Sequence, residues 1–293
     1  MNSPYVRRLR LAAELRKLRS KLNLSSDELA RAVRLPRTTI SRLENARMRP
    51  DAHDVMKILE RLGVSGAAWT ELMEIARQAA EHGWWESFGA EMGVRQALYA
   101  NLEAGARRIR EYPMTLLPGL LQTATFCEAR TAVDQADWSA RFNPARAVEA
   151  RLGRQKMLHR PGGPGYEVLI DELAVRRPAA ESGILRDQLL HIVKLGTNES
   201  QITVRVLPVD APIRNHTVPR SGFSIYDYPD PGDPVAVAVD TVTDDLVFTE
   251  PKPVAHYLTL YGRLLEAALT PDESLRFLQD AADRIPNLTG RAA

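Results

Sequence analysis

The chain has 293 residues, 39 Lys and Arg against 37 Asp and Glu, and 44% hydrophobic residues, an ordinary globular composition long enough for about two domains. A single cysteine, Cys127, excludes an internal disulfide framework and a cysteine-built zinc site, and no run of about 18 apolar residues offers a membrane span. The net charge of +2 conceals an asymmetry: residues 1–65 hold 15 Lys and Arg against 7 Asp and Glu, or +8, which leaves 24 against 30, or −6, for the remainder. A basic head on an acidic body is the electrostatic footprint of a protein that meets nucleic acid through one end.

In chain order, Leu11, Leu15, Leu18 and Leu22 recur at helical spacing over residues 5–22, with Arg7, Arg10, Lys17 and Lys21 on the other face. The N-terminal residues are basic but lack the uninterrupted apolar core of a signal peptide, so a cytoplasmic, nucleoid-associated protein is expected. Ser25 and Glu28 have capping-box spacing and open a short helix with Leu29, Ala30 and Val33 on one face. Arg34-Leu35-Pro36 breaks it, because proline disfavours helical geometry in the residue before it and suits the first turn of a new helix. In the second short helix, from about Arg37, Ile40 and Leu43 point inward and leave Arg37, Thr38, Thr39, Ser41 and Arg42 facing out. Asp51 can cap a fourth helix carrying Val55, Ile58, Leu59 and Leu62 with a stop at Gly63, and a fifth is expected over 65–81.

Two short helices over a tight turn, the second polar and basic on its outer face, are what a helix-turn-helix needs. The stretch LSSDELARAVRLPRTTISRLENARMRP is similar to the Cro/repressor type, or XRE family, of helix-turn-helix in its spacing and in its L-S-x-x-E-L-A and T-I-S-R-L-E-N cores. That resemblance implies that Arg37, Thr38, Thr39 and Arg42 reach base edges and that Ser26, Ser41, Asn45, Arg47 and Arg49 hold phosphates. It also implies that Arg19 and Glu44 form a structural ion pair. The chain departs from the family's pattern at Arg34 and Ala46, where glycine is usual, and at Pro36, where serine or threonine is usual.

Residues 82–95, with Gly83, Gly89, Gly93, Trp84 and Trp85, read as a connector pinned by aromatic packing rather than as a base-stacking platform. Beyond it, helices are expected over 96–112, after Pro118-Gly119, and over 144–159. From Tyr166 the period shortens: strands are expected over 167–171, 202–206, 222–228, 235–242 and 246–249, with helices over 185–195, 253–268 and 271–284. The expected architecture is an all-α five-helix head over 1–81 and, over 96–285, an α+β domain with a roughly five-stranded mixed sheet flanked by helices. A short tail follows over 286–293.

Nine segments of the body also carry a resemblance: GWW at 83–85, LEAGARRIREY at 102–112, LPGLLQT at 117–123, RLGRQKML at 151–158, IDELAVRRP at 170–178, QLLHI at 188–192, VRVLP at 204–208, SGFSI at 221–225 and AALTPDES at 267–274. Together they resemble the domain that follows XRE heads in actinobacterial regulators of the WhiJ type. The resemblance implies a transcription regulator, sometimes opposed by a small partner protein, and supplies no ligand.

Catalytic patterns are weak. Asp171 and Glu172, adjacent in an expected strand, point to opposite faces. The six histidines have no HxxxH or HExxH spacing, Ser221 and Ser224 lack a G-x-S-x-G elbow, and Gly162, Gly163 and Gly165 lack the Lys-Ser/Thr of a phosphate loop. Neither a catalytic residue, a metal nor a cofactor is expected. Arg151, Arg154, Gln155, Arg176 and Arg177 are the candidates for an anion pocket. The expectation is thus a homodimeric regulator that binds double-stranded DNA and whose body senses a small-molecule effector or an antagonist protein. The alternative is an antitoxin-like module that sequesters a small partner protein and autoregulates its own operon.

Overall fold

The computed structural model describes residues 2–135, 143–241 and 245–286. The tail beyond 286 and the last residue of the strand expected over 235–242 lie outside the described residues. The chain forms two compact units, Met1–Glu86 with Tyr228–Pro234, and Ser87–Asp227 with Val235–Ala293.

The first unit holds five helices: α1 (Pro4–Lys21), α2 (Ser26–Val33), α3 (Arg37–Glu44), α4 (Ala52–Arg61) and α5 (Gly66–Ala79). Each boundary has a local cause. The Ser3 hydroxyl accepts from the Val6 N–H with Pro4 at the first helical position, and Asp51 accepts from the His53 and Asp54 amides. Leu11, Leu15, Leu29, Val33, Ile40, Leu43, Val55, Ile58, Leu59 and Leu72 meet in one core, to which all five helices contribute. Residues 228–234, between two strands of the sheet described below, fold with these helices. Asp230 accepts from Arg7 at 2.9 Å and from Arg10 at 2.7 Å, and Asp233 lies 3.3 Å from Arg7. Against the upward push of its burial, the Gly232 N–H and the two guanidinium groups bring the Asp230 carboxyl down to about 2.

The second unit contains α6 (Gly93–Glu103), β1 (Arg108–Tyr112), α7 (Ala124–Gln135), α8 (Pro144–Gln155), β2 (Gly165–Asp171), α9 (Glu172–Arg176), α10 (Ser182–Asn198), β3 (Ile202–Leu207), β4 (Phe223–Asp227), β5 (Ala236–Val239), β6 (Leu246–Phe248), α11 (Pro251–Ala267) and α12 (Pro271–Asp283). The sheet has six strands in the order β3-β2-β1-β4-β5-β6. β1 is parallel to β2 and β2 to β3, whereas β1 with β4, β4 with β5 and β5 with β6 are antiparallel. The sheet is therefore mixed, as expected, with one strand more than the five foreseen. The additional strand is β1, which occupies part of the helix expected over 96–112. That helix stops early because Gly105 takes φ 80°, a conformation open to glycine, and the chain emerges extended. Asp171 and Glu172 are not strand neighbours either: Asp171 accepts from the Leu173 N–H and caps α9, which Glu172 begins.

Alternation along β1 sorts the sheet's two faces. On the Tyr112 face, Phe223, Ile225, Val237 and Leu169 pack with Val254, Tyr261 and Leu264 of α11 in an apolar core. The outer edge of β3 is covered as well, because the Val206 amide donates to the Ser274 hydroxyl at 2.9 Å and its carbonyl accepts from Leu269 at 2.9 Å. The Glu111 side of β1 is polar. Glu111 accepts from Tyr166, Asp240 from Tyr99, and Glu103 on α6 accepts from Nε and one terminal nitrogen of Arg154 on α8, whose other terminal nitrogen donates to Gln96. Arg154 also lies 5.2 Å from the centre of the Tyr99 ring.

Burial, reinforced by nearby Asp240 and Glu103 and opposed by the Tyr166 hydrogen bond, pushes the Glu111 carboxyl up to about 7. A carboxyl raised in the folded state binds more protons than the unfolded chain between its ordinary value and 7, so its stabilising contribution is complete below about 4.5 and lost as pH rises through 7. Wild type is expected to be less stable at pH 8 than at pH 5 by an amount on the order of 2 kcal/mol from this group. Glu111→Gln should remove that part of the pH dependence in denaturant melts; an unchanged pH profile in the variant would contradict the assignment.

Candidate nucleic-acid interface

The capping box of α2 is complete: the Glu28 N–H donates to the Ser25 hydroxyl at 3.2 Å and the Glu28 carboxylate accepts from the Ser25 N–H at 2.8 Å. The Ser25 N–H first, and second its hydroxyl, which donates to the same carboxylate at 2.7 Å, hold the Glu28 carboxyl below the usual carboxylate range. The helix ends at Arg34, with φ 56° and ψ 41°, where the Leu35 N–H reaches back to the Ala30 carbonyl at 3.0 Å. α3 ends the same way: Ala46 takes φ 54°, and the Arg47 N–H reaches the Arg42 carbonyl at 2.8 Å. Both positions are therefore left-handed, the conformation that glycine adopts without steric cost and that Arg34 and Ala46 adopt at roughly 1 kcal/mol each. Pro36, ahead of α3, makes no side-chain capping bond.

Ile40 and Leu43 are buried and Thr38, Ser41, Arg42, Asn45 and Arg47 are exposed, with Thr39 half-buried between them. Burying each of the two apolar side chains contributes roughly 2 kcal/mol, more than any exposed ion pair nearby, so packing decides which face of α3 turns outward. Arg42 and Arg47 have no ion-pair partner among the described residues. Four of the other expected contacts, Arg37, Asn45, Ser26 and Arg49, are already engaged. Arg37, although 73% exposed, forms an ion pair with Asp27, its Nε 2.9 Å from Oδ1, which leaves the two terminal nitrogens for other acceptors. Asn45 donates to the Ser41 carbonyl at 2.7 Å, and Ser26 donates to Glu44 at 3.2 Å. Arg49 is on Glu86, which also accepts from the Gly83 N–H and contacts His82. Asp27 and Glu86 are thus residues of this surface that sequence reasoning missed.

Arg19 and Glu44 form a bidentate pair, Nε to Oε1 at 2.6 Å and the second nitrogen to Oε2 at 3.1 Å, while the remaining Arg19 nitrogen donates to the Leu24 carbonyl at 2.6 Å. Glu44 is 4% exposed. One carboxylate therefore ties the C-terminal part of α1, the first residue of α2 and the last residue of α3.

The connector tryptophans meet edge to face at 5.9 Å, with Trp85 buried. Of the five candidates for an anion pocket in the body, Arg154 is buried against Glu103, Arg176 is paired with Glu172 at 2.9 Å and lies over the Phe277 ring, and Gln155 gives its amide hydrogens to the Gly119 and Gln122 carbonyls. Arg177 is the C-cap of α9, and Arg151 lies near Cys127, whose thiol burial pushes up. An arginine on a helix is drawn into such pairs wherever a buried carboxylate needs a counter-charge. Among the described residues no three His, Cys, Asp or Glu side chains come together as a metal set, and no helix is long and apolar enough to cross a membrane.

Comparison with protein families agrees with this division. Residues 10–72 match a helix-turn-helix domain, and residues 96–280 match the family described as Domain of unknown function (DUF5753). No curated protein and no solved structure matches the chain.

Removing Glu44 leaves Arg19 and Ser26 without their acceptor in a largely enclosed position. Glu44→Ala should destabilise the first unit by on the order of 3 kcal/mol, against less than about 1 kcal/mol for Asp27→Ala in the exposed pair. Chemical denaturation of the two variants compares them directly; equal losses would contradict the structural role of Glu44.

Proposed function

Because the chain belongs to the family of the Domain of unknown function (DUF5753) and carries a helix-turn-helix domain ahead of it, we propose that it is a dimeric, sequence-specific regulator of transcription whose body receives a signal. The coarser statement, a DNA-binding regulator, rests on the helix-turn-helix match itself. The observation that carries the finer reading is the outward face of α3, where Thr38, Ser41 and Arg42 are exposed while Ile40, Leu43 and Glu44 are buried beneath them.

In this reading α3 lies in the major groove. The Arg42 guanidinium can bond two acceptors on a guanine edge, and Thr38 and Thr39 offer hydroxyl and methyl groups to neighbouring bases. Arg37 approaches with Asp27 on its Nε, so only its terminal nitrogens reach a base. The backbone at Ser26, the first residue of α2, presents N–H groups suited to a phosphate, with Ser41, Asn45 and Arg47 beside the groove. Arg49 joins them only by releasing Glu86. A dimer is favoured because one short helix reads too few base pairs, whereas two half-sites about 34 Å apart multiply the discrimination.

Arg42→Ala is expected to weaken binding to a selected duplex by ~1 to 3 kcal/mol and to relax preference at one base pair in each half-site. Arg47→Ala should weaken selected and random duplexes alike and reduce the slope of log affinity against log salt by about 1. Titrations at several salt concentrations separate the two. Equal losses on both duplexes for Arg42→Ala would refute its assignment to a base edge.

A further inference from the structure

Three of the body's sequence motifs that the DNA-binding reading leaves unused meet at one place. LPGLLQT forms the turn at 117–123 that follows β1, RLGRQKML is the C-terminal end of α8 with the turn after it, and QLLHI lies within α10. Between them is an open cleft of about 460 Å³, within the size range of small-molecule sites. Leu120, Leu152 and Leu195 supply its apolar wall, and Lys156, His159 and His191 its polar one. None of the side chains lining it is acidic, and outside the lining Glu199 lies 3.9 Å from His159.

The floor is held in place by three glutamines. Gln155 donates to the Gly119 and Gln122 carbonyls at 3.1 and 2.7 Å, Gln122 to the Leu117 carbonyl at 2.8 Å, and fully buried Gln188 to the Leu121 carbonyl at 2.7 Å while accepting from the Thr123 N–H at 2.7 Å. A turn whose carbonyls are bonded from two helices is fixed before anything binds, which is what a binding site requires of its scaffold. Burial first, and Lys194 second, hold His191 below its ordinary value, so near neutral pH its ring offers an N–H donor to the cleft.

We propose that this cleft binds a small organic carboxylate with an apolar body, Leu120, Leu152 and Leu195 enclosing the body while Lys156, His159 and His191 hold the carboxylate. The proposal deepens the reading of the body as the part that receives a signal, and rests on it. Calorimetric titration of the full chain with naphthalene-2-carboxylate and with octanoate tests the site. At least one of them should bind once per chain, about tenfold more tightly than the uncharged naphthalene-2-carboxamide or octanamide, and the Lys156→Ala/His191→Ala double variant should lose about that factor. Leu152→Trp, which keeps the charges and fills the apolar wall, should abolish the binding. Failure of both carboxylates to bind, equal binding of the amides, or binding indifferent to these variants would overturn the proposal. Affinity for a selected duplex, measured with and without the bound carboxylate, stands apart: no change there would refute the signalling role and leave the site in place.

Discussion

The carboxylate of Glu44 is the constraint from which the DNA-facing surface follows. It is enclosed, it receives two bonds from Arg19 and a third from Ser26, and Arg19 in turn holds the Leu24 carbonyl. Such a group adds little net stability compared with an apolar replacement, because its own desolvation offsets most of the attraction. Its effect is on geometry. With α1, the start of α2 and the end of α3 tied to one point, the crossing of the two short helices is set at their far end as well as at the turn, and α3 cannot rotate its polar face inward without breaking a buried pair. The turn runs through left-handed Arg34 and the exit from α3 through left-handed Ala46, neither of them glycine, so side-chain tethering carries more of the burden here than glycines at both positions would leave to it.

The body divides its chemistry between the two sides of one sheet. The side under α11 is closed by aromatic and aliphatic packing, with Phe223 against Tyr112, Tyr257 and Tyr261. The opposite side encloses Glu103, Glu111, Arg154, Tyr99 and Tyr166, and most of that polarity is matched by direct hydrogen bonds. A sheet of this kind is rigid on one side and sensitive on the other, since a change of charge within an enclosed network is costly until partners rearrange. The glutamine tethers of the turn at 117–123 run to α8 and α10, so the turn under the cleft is held by two helices.

Much of the head was legible because its signals are local. Ser25 with Glu28, Asp51 before α4, and the spacing of Ile40 and Leu43 each involve residues within a turn or two, where sequence and geometry are nearly the same information. The strand candidates β2 to β6 were legible from alternation. β1 was not: in Arg107-Arg108-Ile109-Arg110-Glu111-Tyr112 the inward position taken by Glu111 is charged, which erases the alternation, and the preceding Leu102-Glu103-Ala104 reads as a continuing helix until Gly105. The pairs Arg37 with Asp27, Arg49 with Glu86, and Arg7 and Arg10 with Asp230 were out of reach, because partners ten, 37 and more than 200 residues away leave no periodic trace. The body's arginines illustrate the same limit. Arg154 and Arg176 look like anion ligands in the sequence and pair with Glu103 and Glu172, whereas Gln122 and Gln188, which join Gln155 in fixing the cleft, carry no charge to draw notice.

The outward face of α3 entering the major groove is the claim on which the functional account depends, and guanine N7 faces that groove while adenine N3 faces the other. Selection of bound sequences from random duplex with the purified chain, followed by methylation protection with dimethyl sulfate on the selected site, reads both atoms at once. The account predicts an enriched inverted repeat with guanine N7 protected in two patches about one helical turn apart. No enriched sequence, or protection confined to adenine N3, would contradict it.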